Sequence, residues 1–338
     1  MTKASECNVA PRKIWLLKLV PPFNYGRLLT AVVLLSLLFP FFYLGAKDVT
    51  EHKTPALFFS LILAYIIPVF SFITSKAQES LLALQPILDL DDEGYEQAQA
   101  QLYGAGPVYS VAWLFLGAAA GFTHMNFVRG SITVALDTMF AGITGFLSTL
   151  GALAVWMIMT TVISMLIKQA MLFARLGGHN TRVSLLDARN LLPFARIFIS
   201  SSLAIIGALA LFPLIGVENG LNLAESPPGA IAILVPLMII FIIPVWPIHR
   251  RLVGLKEREL AALNKRIAAS LNADGGVDID AEKLDILLPL LNYRREITHI
   301  SSWPFDLGNI TRLALYFIIP PLTWAGAAVI ESLVDALL

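Results

Sequence analysis

The sequence predicts an all-α fold: a polytopic membrane helix bundle of about seven transmembrane helices, with cytoplasmic helical extensions. Three observations carry that expectation. The chain is 57% hydrophobic and only 14% charged, where soluble domains carry about 25% charged residues. Several apolar runs reach the roughly 20 residues that cross a hydrocarbon core. The basic residues fall almost entirely between alternate runs.

Taken in order, residues 1–25 read as a cytoplasmic or interfacial N-terminus. Their charged region extends to Arg27, and the apolar run that follows is of spanning length, so it reads as a span and not a cleaved leader. Residues 26–248 are expected to hold six crossings, near 26–45, 55–74, 108–124, 145–168, 197–216 and 229–248. The third is short and glycine-rich (WLFLGAAAGF). The fourth is too long. Apolar character is nearly continuous from Ile132 to Leu166, broken by Asp137, and a straight helix of that length spans about 50 Å. Residues 132–144 are therefore expected to be either a re-entrant or interfacial segment or part of the fourth span. A seventh crossing, 310–330, lies in the last segment, 310–338.

Charge sets the expected orientation. Lys47, Lys53 and Arg129 are the basic residues of outside segments, and the remaining 21 of 24 fall inside when the N-terminus is cytoplasmic and the C-terminus periplasmic or extracellular. Trp303 and Trp324 lie 21 residues apart, about 32 Å of helix, one at each face of the last span.

Three inside segments are long enough to fold: 75–107, 169–196 and 249–309. The first holds an amphipathic stretch, AQESLLALQPILDL, followed by the acidic DLDDEGYE. In the third, Leu252, Leu255, Leu260, Leu263 and Ile267 recur at helical spacing, so the sixth span is expected to continue inward as an amphipathic helix. NADGG at 272–276 ends it, and Asp280 caps a second helix through about Glu296.

Motifs for chemistry are few. Asp89, Asp91, Glu93 and Gly94 match four positions of a calcium loop, but Ala100 stands where the bidentate Glu belongs. The stretch reads instead as a helix-capping loop facing Arg182, Arg189 and Arg196. The histidines (His52, His124, His179, His249, His299) lack metal-site spacing, and Cys7 is alone. No nucleophile elbow, phosphate loop or dinucleotide loop is present. No enzyme activity, cofactor or metal is expected, and the balanced net charge gives no sign of a nucleic-acid partner. The ionisable residues nearest the spans (Asp137, His124, Lys168 and Glu331) all read as near interfaces, which argues against a proton relay. TMFAGITG at 138–145 resembles a potassium-filter loop but lacks its G-Y-G core. Gly142 with Gly145, and Gly117 with Gly121, read more simply as close-packing positions.

Prolines are the positive signal. Pro40, Pro68, Pro213, Pro236, Pro244 and Pro247 fall inside spans or at their ends, and Pro320–Pro321 is a pair within the last. That pair leaves the carbonyls of Tyr316 and Phe317 without helical partners, which hydrocarbon penalises by several kcal/mol each unless protein or water satisfies them. Glu331 and Asp335 follow four residues apart, on one face at the outer mouth. With Thr323 these six residues are the pore or hinge candidates.

The stretches LLDARNLLPFAR and WPFDLGNITRLALYFIIPPLTW resemble segments of uncharacterised bacterial multi-pass membrane proteins. The likeness covers mainly residues 184–196 and 290–332, implies an inner-membrane location and supplies no activity. In topology alone the chain is similar to insect odorant and gustatory receptors, seven-helix cation channels with a pore-lining last helix, whose signature residues are not recognisable here. The leading expectation is a homo-oligomeric ion channel or channel-like receptor, embedded in the bilayer and taking a small ion or small-molecule ligand. The alternatives are an uncoupled transporter or exporter of an apolar or lipid-like molecule, and a non-conducting scaffold or sensor.

Overall fold

The computed structural model describes residues 14–45, 53–104, 106–182, 188–211, 245–272 and 281–301, with single positions at 185, 214, 235, 239, 240, 242, 243, 315 and 318. Regular structure in these residues is helical: α1 Trp15–Lys18, α2 Gly26–Gly45, α3 Lys53–Leu84, α4 Asp92–Tyr103, α5 Pro107–Arg129, α6 Ile132–Phe140, α7 Ile143–His179, α8 Leu192–Leu211, α9 Trp246–Asn272 and α10 Ala281–His299. The β pairing found among them is one isolated antiparallel bridge, Leu88 to Thr181.

Four stretches of helix among the described residues are long and apolar enough to cross a membrane: Gly26–Tyr43, Ala56–Ile87, Asp92–Phe127 and Ile143–His179. The apolar stretch of α8, Leu192–Ala208, is shorter. Apolar exposure marks the surface that faces lipid. On α2, Leu28, Leu29, Val32, Val33 and Leu37 are open, and on α5 so are Val108, Val111, Phe115 and Leu116. In water such a surface would be an aggregation liability, and in hydrocarbon it is the solvated face.

Helix ends depart from the sequence reading. The second span, expected to close at residue 74, continues unbroken to Leu84, and the fourth, expected to close at 168, runs to His179. At 32 and 37 residues, α3 and α7 are about 48 and 55 Å long, well beyond a 30 Å hydrocarbon core. The apolar spacing explains this. Phe70, Ile73, Ala77, Leu81 and Leu84 keep one buried face through the charges at Lys76 and Glu79. Composition ends the hydrocarbon, not the helix.

Residues 132–144 resolve into a separate element. Ser131 caps α6, its Oγ accepting from Thr133 N at 3.2 Å, and the nine-residue helix is about 14 Å long, too short to cross. Gly142 then starts α7 in extended backbone, and a Cβ there would meet open space, so the close-packing role expected of it is wrong. Gly117 and Gly121 do pack closely. A Cβ on Gly117 would lie 2.7 Å from Met157 Cα, and one on Gly121 would lie 3.2 Å from Trp156 Cβ, so the backbones of α5 and α7 meet there. Helix α8 begins five residues before the expected span, with Pro193 in its first turn, where a missing N–H costs nothing. Most of the expected sixth span lies outside the described residues. Turn residues Ile243 and Val245 precede α9, which starts afresh at Trp246. Asp280 lies outside the described residues.

Two apolar clusters hold the helices together. The first gathers Phe42, Phe58, Ile62, Phe70, Ile73, Leu147, Val162, Met165 and Ile205 within the span zone, closed at one end by Ile14 and Leu16. The second gathers Leu81, Leu84, Leu102, Phe173, Leu176, Phe194, Ile248, Leu252, Leu263 and Ile297. It joins the overrunning ends of α3 and α7 to α4, α8, α9 and α10 in a platform at one end of the bundle.

Candidate functional site

Several hydrogen bonds between helices lie where the two clusters meet. Helix α4 is amphipathic and starts at Asp91, whose carboxylate accepts from Gly94 N at 2.9 Å. Asp89 faces Arg182 at 3.0 Å, and both are largely exposed, so the pair adds little stability. The acidic loop is thus a cap and a rim pair, as its failed calcium pattern implied. The side chain of Arg189 lies outside the described residues.

The other end of α4 is held by α7 and by the N-terminal segment. A helix leaves its last carbonyls without internal partners. Here Leu102 O accepts from Gln169 Nε2 at 3.1 Å, Tyr103 O from Ile14 N at 3.0 Å, and Gly104 O from Lys168 Nζ at 2.5 Å. The ammonium also meets the negative end of the α4 dipole. Lys168 sits 5.5 Å from the centre of the Tyr109 ring, whose hydroxyl donates to Ser164 O at 3.3 Å. Tyr103 donates its hydroxyl to Gln78.

Gln169 is the hinge of this collar. It is 1% exposed, and its amide nitrogen donates both to Leu102 O and to Thr74 Oγ1, at 3.2 Å. Thr74 in turn donates to Phe70 O at 3.0 Å, which leaves its lone pair for the amide. Because Leu102 O only accepts, the amide orientation is fixed by chemistry. Gln169 Oε1 is buried with no hydrogen-bond partner.

The same device recurs twice on the platform. Arg251 of α9 donates to Gly177 O at 3.2 Å, beside Leu176 O, which accepts from Asn180 N and Thr181 Oγ1. Lys256, further along α9, donates to Thr298 O at 2.7 Å and Ile300 O at 2.8 Å, capping α10. One helix therefore grips the ends of two others. Close approach helps: a Cβ on Gly177 would lie 2.5 Å from Ile248 Cγ1, so only glycine lets α9 sit so near α7.

This arrangement binds helix ends to one another. Among the described residues no three His, Cys, Asp or Glu converge on a point. His124 lies against Trp156, ring centres 5.3 Å apart, with Nδ1 buried and without a hydrogen-bond partner. The sequence candidates Tyr316, Phe317, Pro320, Pro321, Thr323, Glu331 and Asp335 lie outside the described residues. Within that run Leu315 and Ile318 are helical and about half exposed. The collar itself was missed in the sequence, where Lys168 read only as an interfacial charge and Gln169 carried no motif.

Comparison with protein-family models, curated proteins and solved structures gives no significant match.

Gln169→Leu should expose the cost of the collar. It strands Leu102 O in a buried site, so thermal or denaturant unfolding in detergent should show a loss of about 1–3 kcal/mol. Gln97→Leu, an exposed change on α4, should change little. Equal effects would show that Gln169 holds nothing.

Proposed function

We propose that this membrane protein is a homo-oligomeric ion channel or channel-like receptor of the inner (plasma) membrane. Its N-terminus is cytoplasmic, its C-terminus is periplasmic or extracellular, and the last of seven spans lies nearest the permeation path. The observation that carries the reading is the double grip of α9. Arg251 ties α9 to the end of α7, and Lys256 ties it to the end of α10, the helix that precedes the last apolar run in the sequence. In this reading a displacement of the platform is passed on to that run. Self-association is supported by α10, which exposes Leu284, Leu288 and Leu291 at positions i, i+4 and i+7 beside its buried face. The basic composition of the platform supports its cytoplasmic side. In this reading Pro320 and Pro321 bend the last helix, and carbonyls of Tyr316 and Phe317 meet water in the pore.

The test joins mass to flux. The protein in nanodiscs should be a symmetric oligomer, and liposomes holding it should pass small cations. Glu331→Gln with Asp335→Asn should lower cation over anion permeability and leave melting unchanged, because acids at a pore mouth concentrate cations. A strict monomer, or no flux of any small ion, removes the channel. Flux of an apolar or lipid-like solute by a monomer would instead favour the transporter, and no flux at all the scaffold or sensor.

A further inference from the structure

We propose that the corner where α1, α2 and α3 meet binds the phosphate of an anionic phospholipid headgroup. The proposal rests on α2 and α3 crossing the membrane and on no pore. Arg27, in the first turn of α2, donates Nη2 to Ser75 Oγ on α3 at 2.6 Å and lies 5.5 Å from the centre of the Phe72 ring. Lys76 lies 5.8 Å from the centre of the same ring. Two cations from neighbouring helices therefore converge on one lipid-facing aromatic, which is 39% exposed. Lys18 adds a third exposed cation at the end of α1, where Thr30 Oγ1 of α2 donates to the carbonyl of Leu19 at 3.5 Å.

Charge at this corner is unbalanced. Across residues 14–45 and 53–88 the only Asp or Glu is Glu79, and it pairs with Lys76 at 2.6 Å. No carboxylate pairs with Arg27 or Lys18 among the described residues. A guanidinium has five donors and matches phosphate oxygens two at a time. Depth fits as well. Trp15, Phe23 and Tyr25 are exposed and precede Arg27 in the chain, as interfacial aromatics would, and Leu28, Leu29, Val32 and Leu37 follow it along the open face of α2. A phosphate at the cations places acyl chains along those leucines and valines. A zwitterionic headgroup brings its own ammonium into the same positive field, so the corner discriminates by net charge.

The full-length protein in mild detergent, given phosphatidylglycerol and phosphatidylcholine in equal amounts, should retain phosphatidylglycerol about tenfold more strongly in native mass spectrometry. Arg27→Gln with Lys76→Gln should abolish that preference, and Lys265→Gln, an exposed change on α9, should keep it. Because Arg27 also joins α2 to α3, Lys18→Gln with Lys76→Gln leaves that contact intact and should still weaken the preference severalfold. Equal retention of both lipids would overturn the proposal while leaving the membrane assignment standing, as would an undiminished preference in both double variants. Displacement of phosphatidylglycerol by millimolar inorganic phosphate would also overturn it, since the site would then select a free anion.

Discussion

Leu252→Asp should detach the platform from the bundle. Leu252 is fully buried on α9, between Ile248 and the residues of α7 and α10 that share its cluster. The substitution removes about 2–3 kcal/mol of apolar burial and inserts a carboxylate with no partner, itself worth several kcal/mol unless it takes up a proton. The total should reach roughly 4 kcal/mol, near the largest effects single substitutions give. Two readouts separate local from global failure. Limited trypsin digestion should cut at Arg258, Lys265 and Arg294, all exposed on α9 and α10, well before the wild type is cut. The span helices, whose cluster is distinct, should keep their helical signal under the same conditions. If digestion is unchanged, α9 is a tether and the grip by Arg251 and Lys256 transmits nothing.

Phe173→Ala should destabilise the other side of the same cluster by about 3–5 kcal/mol. Phe173 is fully buried on the overrunning end of α7, and its ring meets that of Phe194 edge-on, centres 6.1 Å apart at 87°. The pair joins α7 to the start of α8. A double-mutant cycle with Phe194→Ala should return a coupling of about 0.5–1.5 kcal/mol, the range for edge-on aromatic pairs. Phe127→Ala, on the exposed face of α5, is the control and should cost well under the buried change. A cost below about 1 kcal/mol for Phe173→Ala would mean that the cluster forms only weakly in the folded protein.

Much of the helical organisation was legible before any coordinates. Starts and stops followed local chemistry: Asp91 as a cap, NADGG after α9, and the amphipathic stripe of Leu252, Leu255, Leu260 and Leu263. The extension of α3 past residue 74 was also written there, in the unbroken spacing from Phe70 to Leu84. Hydropathy closes the span near Lys76, and the amphipathic stretch AQESLLALQPILDL carries the helical period beyond it. The restart at Trp246 left a weaker trace, in Pro244 and Pro247.

The sequence by itself determined the solvent, the helical class and the places where apolar runs give way to charge. These follow from properties that add along the chain: side-chain transfer energies, backbone propensity and the period of 3.6 residues. Only the tertiary structure decided which carbonyl each donor meets. Gln169 reaches a carbonyl 67 positions away, Lys168 one 64 away, Arg251 one 74 away, and Lys256 carbonyls 42 and 44 away. The identity of such a partner depends on which helix end packs nearby. Composition says that a lysine needs a partner and not where the partner lies. The collar around Gln169 and the double grip of α9 exist because buried helix ends must be satisfied, and the packing of α3, α4, α7 and α9 brings the donors to them.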